Sequence, residues 1–280
     1  LWKAVAAYVC WGLFPFYWKQ VAHVPAGQVM AHRIVWSFVT LAAVALARRE
    51  PVWLRANPHA WGVYAAAGAL ISVNWFAYIW AVNHGLIVET SLGYFINPLV
   101  NVALGVAVFR ERLRPLQWTA IGCAAAGVGY LTAAYGSVPW VALTLALSFG
   151  GYSVVKKLAP LESRQGLTLE TGLIAGPALA YLVHTDWSGE GAFLRGGLAT
   201  TLILTGAGVV TTAPLLLFAA AVREAPLTVI SVVQYISPTL QLLAGVLVYG
   251  EAFRLEQRVG FGAVWIGLAV FVWDSLRRRA

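Results

Sequence analysis

Ten apolar stretches of about twenty residues, joined by short polar connections, dominate this 280-residue chain. A helix needs about 20 predominantly apolar residues to cross the hydrocarbon core of a bilayer. The pattern predicts spans near 2–20, 28–47, 60–82, 88–109, 115–134, 138–156, 167–184, 197–221, 227–249 and 257–275. Inside hydrocarbon every backbone N–H and C=O must be satisfied within the protein. The expected fold class is therefore all-α integral membrane, with ten transmembrane helices. Composition agrees: 60% of residues are hydrophobic and 11% charged, against about 25% charged in an average soluble domain. A chain with so few polar residues cannot cover a water-facing surface of this size, so the lipid bilayer is its expected surroundings.

The formal net charge of +8 raises the question of a nucleic-acid partner, which the distribution of charge excludes. Lys and Arg fall in short clusters between apolar stretches, the pattern of the positive-inside rule. With the N-terminus placed in the cytoplasm, 14 of them face the cytoplasm and 4 (Lys19, Arg195, Arg254, Arg258) face outward, while Arg33 lies within a span. Both termini are expected to be cytoplasmic, in a multi-pass protein of a bacterial inner (plasma) membrane. The first apolar run lacks a cleavage pattern and is expected to be a permanent span. Cys10 and Cys123 sit in apolar stretches with no disulfide framework or metal-ligand spacing, and are expected to be packing residues. Trp2, Trp53, Trp61, Trp118, Trp140 and Trp187 fall near span ends, where an interfacial aromatic belt forms.

The chain also repeats itself. Shifted by 140 residues, positions 67–127 and 207–267 share fifteen identities without a gap. Gly68/Gly208, Ser91/Ser231, Pro98/Pro238, Gly105/Gly245, Glu111/Glu251, Arg114/Arg254, Gln117/Gln257, Gly122/Gly262 and Gly127/Gly267 are among them. Gly12/Gly150 and Lys19/Lys157 extend the match at a shift of 138. This divides the chain into 1–136 and 137–280, five spans each. An odd number of spans makes the second copy enter the membrane from the other side. The two inverted five-helix repeats are thus related by a pseudo-two-fold axis in the membrane plane. Transporters use this design to exchange inward-open and outward-open shapes around a midplane site.

Candidate substrate contacts follow from polar residues at midplane depth. Tyr94, Asn97, Pro98, Asn101 and Gly105 share one helical stripe, and Gln234, Ser237, Pro238, Gln241 and Gly245 repeat it. Polar side chains are costly at that depth and face the bundle interior. Each proline frees the carbonyl one turn earlier, at Tyr94 and Gln234. Asparagine and glutamine also act as glue between helices, so the stripes have a packing role to weigh against a binding one. Trp11, Asn74, Trp75 and Tyr78 lie at similar depth, with Thr211, Thr212 and Pro214 in the eighth span. Aromatic walls with a few oriented polar groups suit an amphipathic small-molecule substrate.

Charges within spans are few. His32 and Arg33, with Lys19 and Glu89, are placed to form an outer gate or bind a substrate carboxylate; Arg33 can equally snorkel to the headgroups. Glu170 is the carboxylate best placed for proton coupling, although an acid near a helix start is also favoured by the dipole. There is no glycine-rich phosphate loop, no His/Cys metal cluster and no Gly-x-Ser-x-Gly elbow, so neither enzyme chemistry nor a cofactor is expected. A membrane-embedded enzyme acting on a lipid-like substrate is the alternative, and would need acidic or histidine clusters at one interface.

The runs Asn74-Trp75-Phe76-Ala77-Tyr78-Ile79-Trp80-Ala81-Val82-Asn83 and Ser91-Leu92-Gly93-Tyr94-Phe95-Ile96-Asn97-Pro98-Leu99 resemble bacterial RarD proteins. So do Tyr8 to Trp11-Gly12, His32-Arg33 and Gln234-Tyr235-Ile236-Ser237-Pro238-Thr239. RarD belongs to the EamA-type branch of the drug/metabolite transporter superfamily. The resemblance covers essentially the whole chain. It implies ten helices, two EamA repeats, cytoplasmic termini, and export or exchange of amino acids, metabolites or drugs. Tyr235 joins the candidate site through the last of these runs.

Overall fold

Helix boundaries follow the sequence where proline, glycine and charge punctuate it. The computed structural model describes residues 1–49, 58–110, 113–224 and 233–277. Eleven α-helices occur among them, and no strand. They are α1 Trp2–Gly12, α2 Phe14–Trp18, α3 Ala26–Ala47, α4 Pro58–Asn83, α5 Ile87–Phe109, α6 Pro115–Tyr135, α7 Trp140–Lys157, α8 Ser163–Trp187, α9 Gly197–Glu224, α10 Ile236–Leu243 and α11 Leu255–Arg277. Among the described residues six helical segments are long and apolar enough to cross a membrane: Ala26–Ala47, Pro58–Asn83, Ile87–Phe109, Arg164–Trp187, Gly197–Phe218 and Leu255–Asp274. The protein is a multi-pass membrane protein.

The structure departs from the expected spans at two places. The first span is broken at Leu13 into α1 and α2, and ends in a 3₁₀ turn at Lys19–Val21. Pro15 lies in the first turn of α2, where its missing N–H costs nothing but its ring crowds the carbonyl four residues earlier, that of Trp11. The helix at Ile236–Leu243 widens into a π-turn over Ala244–Val248. Expected features at Trp53, Arg55, Glu111, Arg112, Ser231, Arg278 and Arg279 lie outside the described residues.

Repeat-related residues make repeat-related contacts. The N–H of Arg114 donates to Gln117 Oε1 at 3.1 Å, and the N–H of Arg254 to Gln257 Oε1 at 2.9 Å. Each Gln thus caps the start of its own helix, α6 or α11. Those two helices pack on each other through glycine. A Cβ placed on Gly127 would lie 2.7 Å from the carbonyl oxygen of Gly260, and one on Gly267 would lie 2.6 Å from that of Ala120. Both contacts are the same contact under the 140-residue shift. Gly12 packs on Leu240 and Gly150 on Val100, while Gly68 packs on Ile174 and Gly208 on Trp36. Small residues let helix backbones approach closely where lipid supplies no hydrophobic drive.

A carboxylate ties the halves together at another helix start. Glu251 accepts hydrogen bonds from the N–H groups of Ile87 and Val88, both at 2.8 Å, through its two oxygens. These are orphan donors at the start of α5, where a negative charge also meets the positive end of the helix dipole. Trp2, Trp118, Trp140 and Trp187 are exposed, as an aromatic belt requires. Cys10 is exposed rather than packed, because α1 buries its opposite face through Ala4, Ala7 and Tyr8.

Candidate functional site

A buried cation within a span sits in an aromatic cage. Arg33 on α3 is 4% exposed, so it does not snorkel. Its guanidinium carbon lies 4.0 Å from the ring centre of Trp75, 5.1 Å from Trp18 and 5.5 Å from Phe14. Its Nε donates to Thr211 Oγ1 at 3.0 Å, which brings α9 to the cage. Tyr78 and Tyr94, with ring centres 5.9 Å apart, lie within electrostatic reach of its charge.

The four outer charges expected to act together are kept apart. Lys19 Nζ donates to the carbonyl of Val82 at 2.9 Å. Glu89 accepts from the N–H groups of Val141 and Ala142 at the start of α7. His32, one residue before Arg33 and about 100° away around the helix, stacks beside Phe193 at 4.8 Å. His32 faces a cavity of about 570 Å³ lined by α3, α8 and the 188–196 loop, including Gln28, Trp36, Asp186 and Arg195. That cavity contains no residue of α5 or α10, so it is a different place from the polar stripes.

The stripes themselves are incompletely satisfied. Asn101 Nδ2 donates to Asn97 Oδ1 at 2.9 Å. Gln241 Nε2 donates to Ser237 Oγ at 3.3 Å and to the carbonyl of Trp11 at 3.2 Å, the group that Pro15 released. Ser91 Oγ donates to the carbonyl of Pro238 at 2.8 Å, joining α5 to α10. The Gln234 carbonyl, expected to be free, accepts from the Ser237 N–H at 3.3 Å because Gln234 lies in the turn before α10. Asn74 Nδ2 reaches the carbonyl of Leu145 and Ser148 Oγ on α7, and Tyr94 Oη approaches Asn74 Oδ1 at 3.5 Å. Trp11 packs edge-on to Tyr8, and Tyr235 stacks on Phe95. Asn97 Nδ2, Asn101 Oδ1, Gln241 Oε1 and Tyr78 Oη are buried without a hydrogen-bond partner. Each such group costs about 1–3 kcal/mol when left unmet.

A second polar cluster lies at the end of the bundle rich in Lys and Arg. Glu170 is fully buried; its Oε2 accepts from Lys156 Nζ at 3.0 Å and from Tyr152 Oη at 3.5 Å. Its Oε1 has no partner. The Lys156 ammonium also lies 5.1 Å from the ring centre of Tyr64 and 5.6 Å from that of Tyr152. Glu170 stands about two turns into α8, which begins at Ser163. Gly166, one turn before it, leaves room for the Tyr64 side chain, which would lie 2.6 Å from a Cβ at that position.

The sequence matches the EamA-like transporter family twice, over residues 1–133 and 137–273. The chain belongs to this family. It is 44% identical to the uncharacterized transporter YojE of Bacillus subtilis, over 97% of this chain and 92% of that one. It is 41% identical to the protein RarD of Streptomyces exfoliatus, over 97% and 87% of the two chains. A solved crystal structure at 20% identity superposes with a TM-score of 0.63, covering 99% of this chain and 98% of its own, which speaks for the shared fold. The chain is a RarD-type EamA protein of the drug/metabolite transporter superfamily.

Within this EamA chain, several groups around the sites carry no separate mark in the sequence. Phe14 and Trp18, four apart on the first span, form two walls of the Arg33 cage. Tyr152 and Lys156, also four apart, both meet Glu170. The i, i+4 spacing puts each pair on one helical face, and that spacing was the available signal.

Proposed function

We propose that this protein is a secondary transporter, an exporter or exchanger that moves small organic solutes such as amino acids, metabolites or drugs by alternating access. The observation that carries this reading is the set of buried, unpartnered polar atoms on Tyr78, Asn97, Asn101 and Gln241. In an apolar bundle such groups need a partner, and a solute passing between the helices would supply it. The ten-span, inverted-repeat architecture, with halves 1–136 and 137–280, is supported by the double family match and the reciprocal contacts of Gly127 and Gly267. Trp11, Asn74, Tyr94, Gln234, Tyr235 and Ser237 complete the proposed solute path, with His32 at its outer cavity. Counterflow in proteoliposomes against an amino-acid and metabolite panel tests the reading; absence of exchange for every solute would refute it.

The stripe yields a sharper expectation. Asn101→Ala and Gln241→Ala each weaken solute affinity by about 2- to 13-fold, the loss of one hydrogen bond of ~0.5–1.5 kcal/mol. If the two residues only hold helices together, stability falls instead by about 0.6 kcal/mol per bond and affinity stays unchanged. Thermal stability and affinity measured on the same purified variants separate the two roles.

The basic clusters support cytoplasmic termini and an outward-facing 188–196 loop. In a background lacking Cys10 and Cys123, cysteines at Ser188 and Arg49 are expected to label from opposite faces of sealed cells. Labelling from one face would overturn the topology.

Glu170 is proposed as the proton-coupling group, since its free Oε1 can take a proton while Oε2 stays with Lys156. Glu170→Gln then abolishes accumulation driven by a pH gradient but preserves counterflow, in which the proton need not be released. Normal pH-driven accumulation in the variant would remove Glu170 from the mechanism.

A further inference from the structure

We propose that Arg33 is the charge anchor of the solute site, and that the site selects monoanionic carboxylates bearing a flat apolar group. The proposal rests on the transport reading above and narrows it to a substrate class. A guanidinium has five N–H donors. Here Nε serves Thr211, and the four donors of Nη1 and Nη2 meet no acceptor among the described residues. No carboxylate among the described residues offsets the charge either. The buried acids among the described residues are Glu170 and Asp274, held by Lys156 and by Arg114. Glu89 spends its carboxylate on the start of α7.

An uncompensated ion inside a protein is expensive, by several kcal/mol even after relaxation. The three aromatic faces around Arg33 offset part of that through cation–π attraction. They supply no negative charge, however, and no acceptor for the outer fork of the guanidinium. A carboxylate fits that fork as a planar, two-pronged acceptor carrying one negative charge. A dianion such as a phosphate monoester would bring more charge than the site balances. A zwitterion would bring an ammonium to a place where the charge already present is positive. The body of the solute lies among Trp75, Tyr78 and Tyr94, whose rings favour a flat apolar group, and the unpartnered Tyr78 Oη can add one hydrogen bond.

The test reads binding, so that it does not depend on transport. Detergent-purified protein is heated with 3-phenylpropionate, with its neutral isostere 3-phenylpropanamide, and with sodium chloride. The acid is expected to raise the thermal midpoint, while the amide and the salt do not. Arg33→Lys, which keeps the charge but loses the fork, weakens acid binding by about 10- to 100-fold. Arg33→Gln abolishes it. Equal protection by the amide or by chloride, protection by none of the three, or full protection in Arg33→Gln overturns the proposal. If Arg33→Gln does not fold, the acid-against-amide comparison on the unaltered protein decides alone. Counterflow of the bound acid is then measured separately: binding without exchange would refute the transport reading and leave the anchor standing.

Discussion

Gly208→Ala is expected to destabilise the protein more than any other single-methyl substitution among the glycines described. A Cβ there would sit 2.3 Å from the carbonyl oxygen of Trp36 and 2.5 Å from its carbonyl carbon. Both are backbone atoms of α3, so no side chain can rotate away and the whole helix must shift. Overpacking usually costs about 1–3 kcal/mol, and a backbone collision belongs at or beyond the top of that range. The same substitution at Gly122 or Gly262 meets nothing within 4 Å. Those variants are expected to be neutral or to gain the ~0.5–1 kcal/mol that alanine brings to a helix interior. Thermal midpoints of the three variants in one detergent check the contrast. A Gly208→Ala midpoint equal to that of Gly122→Ala would mean that α3 and α9 do not meet in this way.

Lys156→Met is the second large effect. It strips the cation from a carboxylate that is fully buried, and removing one partner of a buried pair costs about 3–5 kcal/mol. The lower end applies, because the Lys156 side chain is 23% exposed and part of its charge is already screened. The double variant Lys156→Met/Glu170→Gln removes the stranded charge and is expected to recover most of the loss. Residues in contact show such non-additivity, whereas independent sites add. Additive midpoint shifts would indicate that the pair contributes nothing as a pair. Because Glu170→Gln alone leaves Lys156 able to reach water, it should be the mildest of the three.

The helical membrane fold could be read from the sequence because apolar runs of the right length admit one class of fold in lipid. Even the break at Leu13 had its sign, Pro15 inside an apolar run. What could not be read was partnership across distance. Arg33 was visibly a charge within a span, but its cage is assembled from Phe14, Trp18, Trp75 and Thr211, on three other segments of the chain. The same holds for Glu251, whose role as a cap for α5 depends on a contact across 164 residues. Lys19 and Glu89 looked like members of one outer cluster because they share a depth. Depth alone does not fix the azimuth of a side chain, and each turned to a backbone group on a different helix.

The paired glycine contacts between α6 and α11 have a consequence for how motion in this protein can be measured. At Gly127–Gly260 and Gly267–Ala120 one backbone rests on another with no side chain between. Such a seam cannot ratchet by a turn without driving a side chain into main chain, so the two helices must travel as a single body. They form a fixed frame within the molecule, and the frame is symmetric with respect to the two halves. Spin labels or fluorophores on the outer faces of α6 and α11 would hold a constant mutual distance through a working cycle. Every other helix could then be referred to that baseline, so that a change in distance reports which half of the bundle has moved.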